Sequence, residues 1–95
     1  MANIRFLARA EVDLEDAVAW FEERSERAAR RFEREVTVAL DRIARLPELY
    51  SPVDDRHRIC PVKKSQFLLV YRFESTTDTI TVVAVPHAKQ EPRDW

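Results

Sequence analysis

The residues best suited to chemistry are basic and lie between positions 56 and 73 of the 95-residue chain. This stretch has no Asp or Glu, and its cations are Arg56, Arg58, Lys63, Lys64 and Arg72. Arg and Lys side chains bind phosphate and carboxylate groups through charge-assisted hydrogen bonds. The stretch therefore predicts either an anion-binding sheet face or a solvated edge strand protected by its charge. Arg58 and Arg72 are the better functional candidates because they fall within predicted strands, although they could instead pair with acidic residues of the first helix.

Two histidines, His57 and His87, could act as general acids or bases, since histidine titrates near neutral pH. Neither has the spacing of a metal ligand relative to Cys60, the single cysteine, so we expect no metal site. The chain contains no glycine, which excludes the Gly-rich loops of P-loop and Rossmann proteins, and we expect no cofactor. A histidine that follows a strand is more often a structural hydrogen-bonding group, so both interpretations of His87 stay open.

The overall charge is balanced, with 16 basic and 17 acidic residues and a net charge of -1. Proteins that bind nucleic acid mainly through phosphates are usually strongly basic, so we expect no direct sequence-specific binding to nucleic acid. One cysteine permits no intramolecular disulfide and suits a reducing compartment. No apolar run approaches the ~20 residues of a membrane span, and Arg5 and Arg9 interrupt the run that a signal peptide needs. These features predict a soluble cytoplasmic protein without membrane contact.

Two helices are predicted to support the basic stretch. Apolar residues at positions 14, 17, 18 and 21 recur with helical spacing, which predicts an amphipathic helix over about residues 10–24. Ser25 is a good N-cap for a second helix, which Pro47 ends. Because two or three residues join the helices, we expect an antiparallel hairpin.

Four strands complete the prediction. A short strand is expected around Ile4–Leu7, and an edge strand over Arg56–Val62, where Pro61 has no N–H to donate. Phe67–Phe73 and Thr79–Val85 are separated by a polar connector and predict a β-hairpin. The chain has no linker or internal repeat, so residues 1–95 are expected to form one domain. The fold class is α+β, a two-layer β-α-α-β-β-β arrangement with a helical hairpin packed on a mainly antiparallel sheet.

The polar tail from His87 to Trp95 follows a predicted core strand, which is a suitable place for a recognition surface. Trp95 either anchors this tail on the sheet or forms an interaction hot spot. Trp20, in the first helix, neighbours the apolar face and is interpreted as a packing residue.

Several strings of the chain, taken in order, resemble the RelE/ParE superfamily of type II toxin–antitoxin toxins, and its ParE-like branch in particular. The string His87-Ala88 followed by Pro92-Arg93-Asp94-Trp95 is the most specific, since ParE-like members often end in this way. The others are Asp13-Leu14, Trp20-Phe21-Glu22-Glu23, Ala29-Arg30-Arg31-Phe32, Ile43 with Leu46-Pro47, Pro52-Val53 with Arg58, Val70-Tyr71-Arg72 and Ile80-Thr81-Val82-Val83-Ala84-Val85.

The resemblance implies a toxin that a dedicated antitoxin, ParD-like or similar, neutralises by wrapping its C-terminal segment over the helical hairpin and the sheet. The two proteins would form a hetero-oligomer. ParE-like members inhibit DNA gyrase without being enzymes. The expected antitoxin contacts are Trp20, Phe21, Phe32, Arg58 and Arg72, and the expected target contacts are His87, Lys89, Arg93 and Trp95.

Two alternatives stay open. RelE-like members cut mRNA in the ribosomal A site without a metal ion, and in that case a basic set and one histidine would orient the 2′-hydroxyl and stabilise the scissile phosphate. That set is Arg56, Arg58, Lys63, Lys64, Arg72 and His87. The net charge of -1 favours the ParE-like function, although Lys89-Gln90-Glu91 is less basic than ParE-like tails commonly are. The other alternative is a homologue that binds its antitoxin but is not toxic.

Overall fold

The computed structural model describes residues 1–89 and 95. Its elements follow the predicted β-α-α-β-β-β order, and two helices pack on one four-stranded sheet. The elements are β1 (Asn3–Phe6), α1 (Ala8–Glu22), α2 (Glu26–Arg45), β2 (Arg58–Pro61), β3 (Leu68–Glu74) and β4 (Thr79–Ala84). Neither helix in the described part of the chain is long and apolar enough to cross a membrane.

The helices form the predicted hairpin, and their ends follow from local chemistry. The Ser25 hydroxyl accepts a hydrogen bond from the Ala28 N–H at 3.1 Å, which confirms this residue as the N-cap of α2. Helix α2 ends at Arg45, before Pro47. Helix α1 begins and ends two residues earlier than predicted. Its N-cap is Leu7, which is extended and makes no side-chain capping bond, so no capping residue marks this start in the sequence.

The sheet has the strand order β1-β4-β3-β2. Strands β3 and β4 form the predicted antiparallel hairpin, and β2 pairs antiparallel with β3. Strand β2 lies at an edge, as Pro61 predicted. Strand β1 pairs in parallel with β4, with Ile4 opposite Ile80. The two central strands are therefore adjacent in sequence, while β1 joins them from the far end of the chain.

The main core lies between the sheet and the helices. Side chains such as Leu69, Tyr71 and Ile80 are fully buried there against Phe32 and Ile43. We call this side of the sheet the helix face.

The opposite side, the outer face, carries no helix formed by residues 1–89. Its apolar part consists of Val70, Val83 and Ala84, with Ile59 and Trp95 packed against them. Further along the same strands this face becomes polar, where Arg72 lies opposite Thr81. The outer face is thus divided into an apolar half under Trp95 and a polar half.

Two turns adopt left-handed backbone conformations without glycine. Lys64 has φ 62° between β2 and β3, and Asp78 has φ 52° between β3 and β4. Asp tolerates this region because its short side chain can bond locally, whereas a Lys gains no such help. Because the chain has no glycine, Lys64 itself takes the left-handed conformation in the turn after β2, and its backbone is strained there.

Candidate functional site

A polar cleft of about 360 Å³ opens beside the outer face. We call it the arginine cleft, because Arg56, Arg58 and Arg72 line it. Asp55 and Glu74 also line it, so three cations stand beside two carboxylates. The remaining lining residues are Pro52, Phe73, Thr79 and Thr81.

Arg58 and Arg72 have different roles in this cleft. The Arg58 guanidinium donates a hydrogen bond to the Tyr50 carbonyl at 2.5 Å and lies 3.7 Å from the Glu48 carboxylate. Arg58 therefore pairs with the loop before β2, and the alternative of pairing with the first helix is wrong for it. Arg72 makes no hydrogen bond or ion pair with any residue in the described ranges. Arg72 is half-buried and lines the cleft.

The other basic candidates lie elsewhere. Lys63 and Lys64 are exposed in the turn between β2 and β3, and the Lys64 ammonium lies 3.8 Å from Glu35 on α2. His87 packs edge-on against Phe67, with 5.2 Å between ring centroids, on the helix face. From Phe67 to Arg72 the strand rises about 17 Å, and Arg72 points to the outer face. The six residues of the nuclease alternative are thus spread over three places and both faces of the sheet.

His57 belongs to none of the clefts that contain Arg72 or His87. Its Nδ1 lies 3.0 Å from the Asp54 carboxylate, which also accepts hydrogen bonds from the Arg56 and His57 N–H groups. These backbone donors, together with the His57 ring, lower the pKa of Asp54. The arrangement fixes the loop before β2 and places the His57 ring 6.5 Å from that of Trp95.

A second, apolar cleft of about 370 Å³ lies where α1 ends beside the start of β3. This aromatic cleft is lined by Trp20, Phe21, Ser65, Gln66, Phe67, His87 and Lys89. The Trp20 side chain is 41% exposed and meets Phe21 edge-on at 4.9 Å. The cleft therefore joins two predicted antitoxin contacts, Trp20 and Phe21, to two predicted target contacts, His87 and Lys89.

The remaining predicted contacts have different outcomes. Phe32 is only 2% exposed and stacks beneath Phe21 at 4.8 Å, so a direct contact between Phe32 and an antitoxin does not fit this structure. Its ring supports the aromatic cleft instead. Trp95 packs on the apolar half of the outer face, which agrees with the anchoring interpretation. Arg93 lies outside the described residues.

A third cleft of about 480 Å³ follows the helical hairpin. The resemblance predicted that an antitoxin segment covers this hairpin, and helical spacing placed Leu14 and Val18 on the apolar face of α1. Half-burial of Leu14, Val18 and Leu40 leaves part of each side chain facing the groove. A helical stripe alone cannot show which of its residues remain accessible. The lining of this hairpin groove is Phe6, Leu14, Glu15, Val18, Glu33, Val36, Thr37 and Leu40.

A buried polar cluster fixes the loop between α2 and β2. The Tyr71 hydroxyl donates a hydrogen bond to the Pro47 carbonyl at 2.9 Å, and burial raises the pKa of Tyr71 to about 12. Burial also raises the pKa of Tyr50 and of the Cys60 thiol, while a hydrogen bond to Tyr50 raises the pKa of Arg42. A thiol kept neutral by burial is a poor nucleophile, so this cluster is structural.

Within residues 1–89 and 95, no group of three His, Cys, Asp or Glu side chains could hold a metal ion.

Solved toxins of toxin–antitoxin systems share this fold. The isolated E. coli RelE toxin superposes with a TM-score of 0.66 at 13% identity, covering 97% of this chain and 89% of that chain. The chromosomal ParDE toxin–antitoxin system from P. aeruginosa gives a TM-score of 0.64 at 10% identity, covering 94% of this chain and 98% of that chain. At these identities the likeness establishes the fold alone.

The sequence itself makes the assignment narrower. Residues 4–92 match the family model of the ParE toxin of the type II toxin–antitoxin system parDE. The chain therefore belongs to the ParE toxin family, and the resemblance drawn from its sequence is confirmed. Comparison with curated protein sequences gives no match.

Proposed function

We propose that this ParE-family toxin acts by binding a protein target, DNA gyrase, and that a cognate ParD-like antitoxin neutralises it. The separation of Arg72 from His87 is the observation that carries this proposal. A nuclease must hold its phosphate-binding cations and its acid–base group within reach of one scissile bond. Here Arg72 points to the outer face, since its neighbours Tyr71 and Phe73 face the helices, whereas His87 packs against Phe67 on the helix face.

Charge supports the same conclusion. Asp55 and Glu74 line the arginine cleft beside its three arginines, and the whole chain has a net charge of -1. A single-stranded RNA would approach these carboxylates with its own phosphates, which weakens binding. A protein surface with mixed charges meets no such penalty.

The tail is the proposed target contact. His87 is held against Phe67 at its beginning, and Trp95 is held against Val70 and Val83 on the outer face. Lys89 is exposed beside His87. The described ends of the tail are thus held on the sheet, which lowers the entropic cost of presenting these residues to a target.

Purified toxin added to gyrase and relaxed plasmid should block supercoiling and accumulate cleaved DNA. Cells expressing the toxin without antitoxin should form filaments and contain broken DNA. Translating ribosomes with a defined mRNA serve as the parallel assay. Cleaved mRNA with unaffected gyrase would support the nuclease alternative. Unimpaired growth, with both assays negative, would support a non-toxic homologue.

The hairpin groove is the proposed site for an amphipathic helix of the antitoxin, whose apolar face would cover Leu14, Val18 and Leu40. Thr37 lines the groove, whereas its neighbour Val38 is 48% exposed and is not among the lining residues. We expect Thr37→Arg to weaken antitoxin binding at least 10-fold, because it places a charge in an apolar interface. Val38→Arg is the matched control and should stay within about two-fold of wild type. Equal affinities for the two variants would place the antitoxin elsewhere.

The arginine cleft is the proposed second antitoxin surface, because antitoxin tails that fold on binding are typically acidic. Arg58 and Arg72 remain the proposed contacts, and Arg72 gives the cleaner test because Arg58 also holds the loop. Arg72→Glu should weaken the complex and reduce its salt dependence. The exposed Arg31 on α2 provides the control Arg31→Glu. An Arg72→Glu complex with unchanged affinity at low salt would contradict the electrostatic contact.

A further inference from the structure

The aromatic cleft is apolar inside and positively charged at its rim. None of its lining residues is a carboxylate. The Arg24 guanidinium carbon lies 3.5 Å from the centroid of the Trp20 ring, a cation–π contact at the cleft edge, and Lys89 is exposed on the side of the tail. Of the nearby carboxylates, Glu22 is paired with Arg30 at 2.8 Å, and the exposed Glu23 lies 3.9 Å from Arg24. The cleft thus suits an apolar side chain with negative charge around it.

The aromatic cleft also continues the hairpin groove. Leu14, Val18 and Phe21 lie on one stripe of α1, the first two in the groove and the third in the cleft. A helix rises 1.5 Å per residue, so the seven steps from Leu14 to Phe21 span about 10 Å. The groove and the cleft are therefore neighbours along the same helix.

We propose that the aromatic cleft is a second docking point for the antitoxin chain that occupies the hairpin groove. The cleft takes one aromatic or large aliphatic side chain, and carboxylates beside that side chain meet Arg24 and Lys89. Its volume of about 370 Å³ suits a single large side chain rather than a whole element. This inference rests on the proposed neutralisation by an antitoxin and names where part of that contact falls.

The position of the cleft gives the contact a role. His87 and Lys89 form one wall, and they are also the first residues of the tail that faces the target. An antitoxin side chain in the cleft covers both of them. Neutralisation is then direct competition, since antitoxin and target cannot use the base of the tail together.

Fluorine NMR of toxin labelled with 5-fluorotryptophan tests the contact. The chain has two tryptophans, and Trp20→Phe and Trp95→Phe assign the two signals. Adding the cognate antitoxin should shift the Trp20 signal, because Trp20 lines the cleft. A complex that forms while the Trp20 signal stays unmoved would overturn this inference and leave the antitoxin assignment intact. Absence of any complex would overturn both.

Affinity measurements provide the second test. Trp20→Ala should weaken antitoxin binding by about 30-fold, the size of an interface hot spot. Arg24→Glu should slow association and reduce its salt dependence, whereas Arg27→Glu, on the exposed first turn of α2, should not. Thermal unfolding of each variant confirms that it folds. Folded Trp20 and Arg24 variants with wild-type affinity would contradict the cleft contact, whatever the result of the gyrase assay.

Discussion

Single residues of one type take different roles in this protein according to the backbone that surrounds them. Arg58 and Arg72 lie in neighbouring strands of the same basic stretch. The loop carbonyl of Tyr50 accepts a hydrogen bond from Arg58, while Arg72 faces the polar half of the outer face without a partner in the described ranges. The sequence predicted both as surface cations. It could not separate them, because the path of the loop before β2 depends on contacts with residues that are distant in the chain.

His87 offers a test between the two toxic mechanisms at a single side chain. A general acid or base contributes about 10²–10⁴-fold to a rate, whereas a residue at the edge of a protein contact contributes far less. We expect His87→Ala to reduce gyrase inhibition by less than about 10-fold. Dose–response curves of the supercoiling assay measure this change, with unfolding temperatures as the control for folding. A loss of 100-fold or more in a folded variant would indicate catalysis.

Tyr71 should make the protein sensitive to alkali. Its pKa is raised by burial to about 12 in the folded state, against about 10 when unfolded. The folded state therefore keeps its proton while the unfolded state loses one, so stability is full below pH 10 and falls as the pH rises towards 12. Two pKa units correspond to a loss of about 3 kcal/mol. Tyr50 and Cys60, whose pKa values are also raised by burial, add losses of the same sign.

Urea unfolding at pH 8, 10 and 11 measures this dependence. Tyr71→Phe removes the hydroxyl that donates to Pro47 and should cost about 1 kcal/mol at pH 8. It should also make the decline above pH 10 shallower than in wild type. Parallel curves for the two proteins would show that Tyr71 does not titrate differently in the folded state.

At the scale of elements, local signals predicted the boundaries best where one residue decides them. Ser25 starts α2, Pro47 follows its end, and Pro61 marks an edge strand. The start of α1 lacks such a residue, since Leu7 caps it without any side-chain bond. Its position depends instead on the preceding strand, where the Leu7 N–H donates to Val82 in β4 at 3.0 Å. That long-range bond leaves no mark in the local sequence.

The Ser25 cap is a direct test of how α2 is fixed. Ser25→Ala removes the oxygen that accepts from the Ala28 N–H and should lower the free energy of unfolding by about 1 kcal/mol. Ser25→Asp keeps an acceptor and should stay near wild type. Chemical denaturation curves of the three proteins provide the measurement. If both variants lost the same amount, the hydroxyl would matter for something other than capping.

For the whole molecule, the sequence predicted the fold class, the element order and most candidate residues, but not their grouping into three clefts. The sheet is the reason. Side chains alternate between its faces and strand order is not chain order, so Arg72 and His87 separate while Trp20 and Lys89 come together. Two of the pairings that set this arrangement, β1 with β4 and Phe67 with His87, join residues that are distant in the sequence. Local sequence patterns do not reveal such pairings.

Asp13 connects the two layers across the molecule. Its carboxylate accepts a hydrogen bond at 2.9 Å from the N–H of Val85, at the end of β4. Asp13→Ala should cost about 1–3 kcal/mol, because it leaves a buried N–H without a partner. Asp16→Ala, on an exposed position of the same helix, is the matched control and should change stability by less than about 0.5 kcal/mol. Similar losses in both variants would point to helix charge rather than to the Val85 contact.

The parallel pairing of β1 with β4 means that the sheet is completed only after β4 has been synthesised. Asn3 pairs with Thr79, so a ribosome working at about 5–20 residues per second needs about 4 to 15 s between making one strand and the other. Until then the nascent chain lacks the arginine cleft, which needs Thr79 and Thr81, and the aromatic cleft, which needs His87. An early fragment therefore lacks the tail that we propose as the target contact, whereas both helices that line the proposed antitoxin groove have already been synthesised.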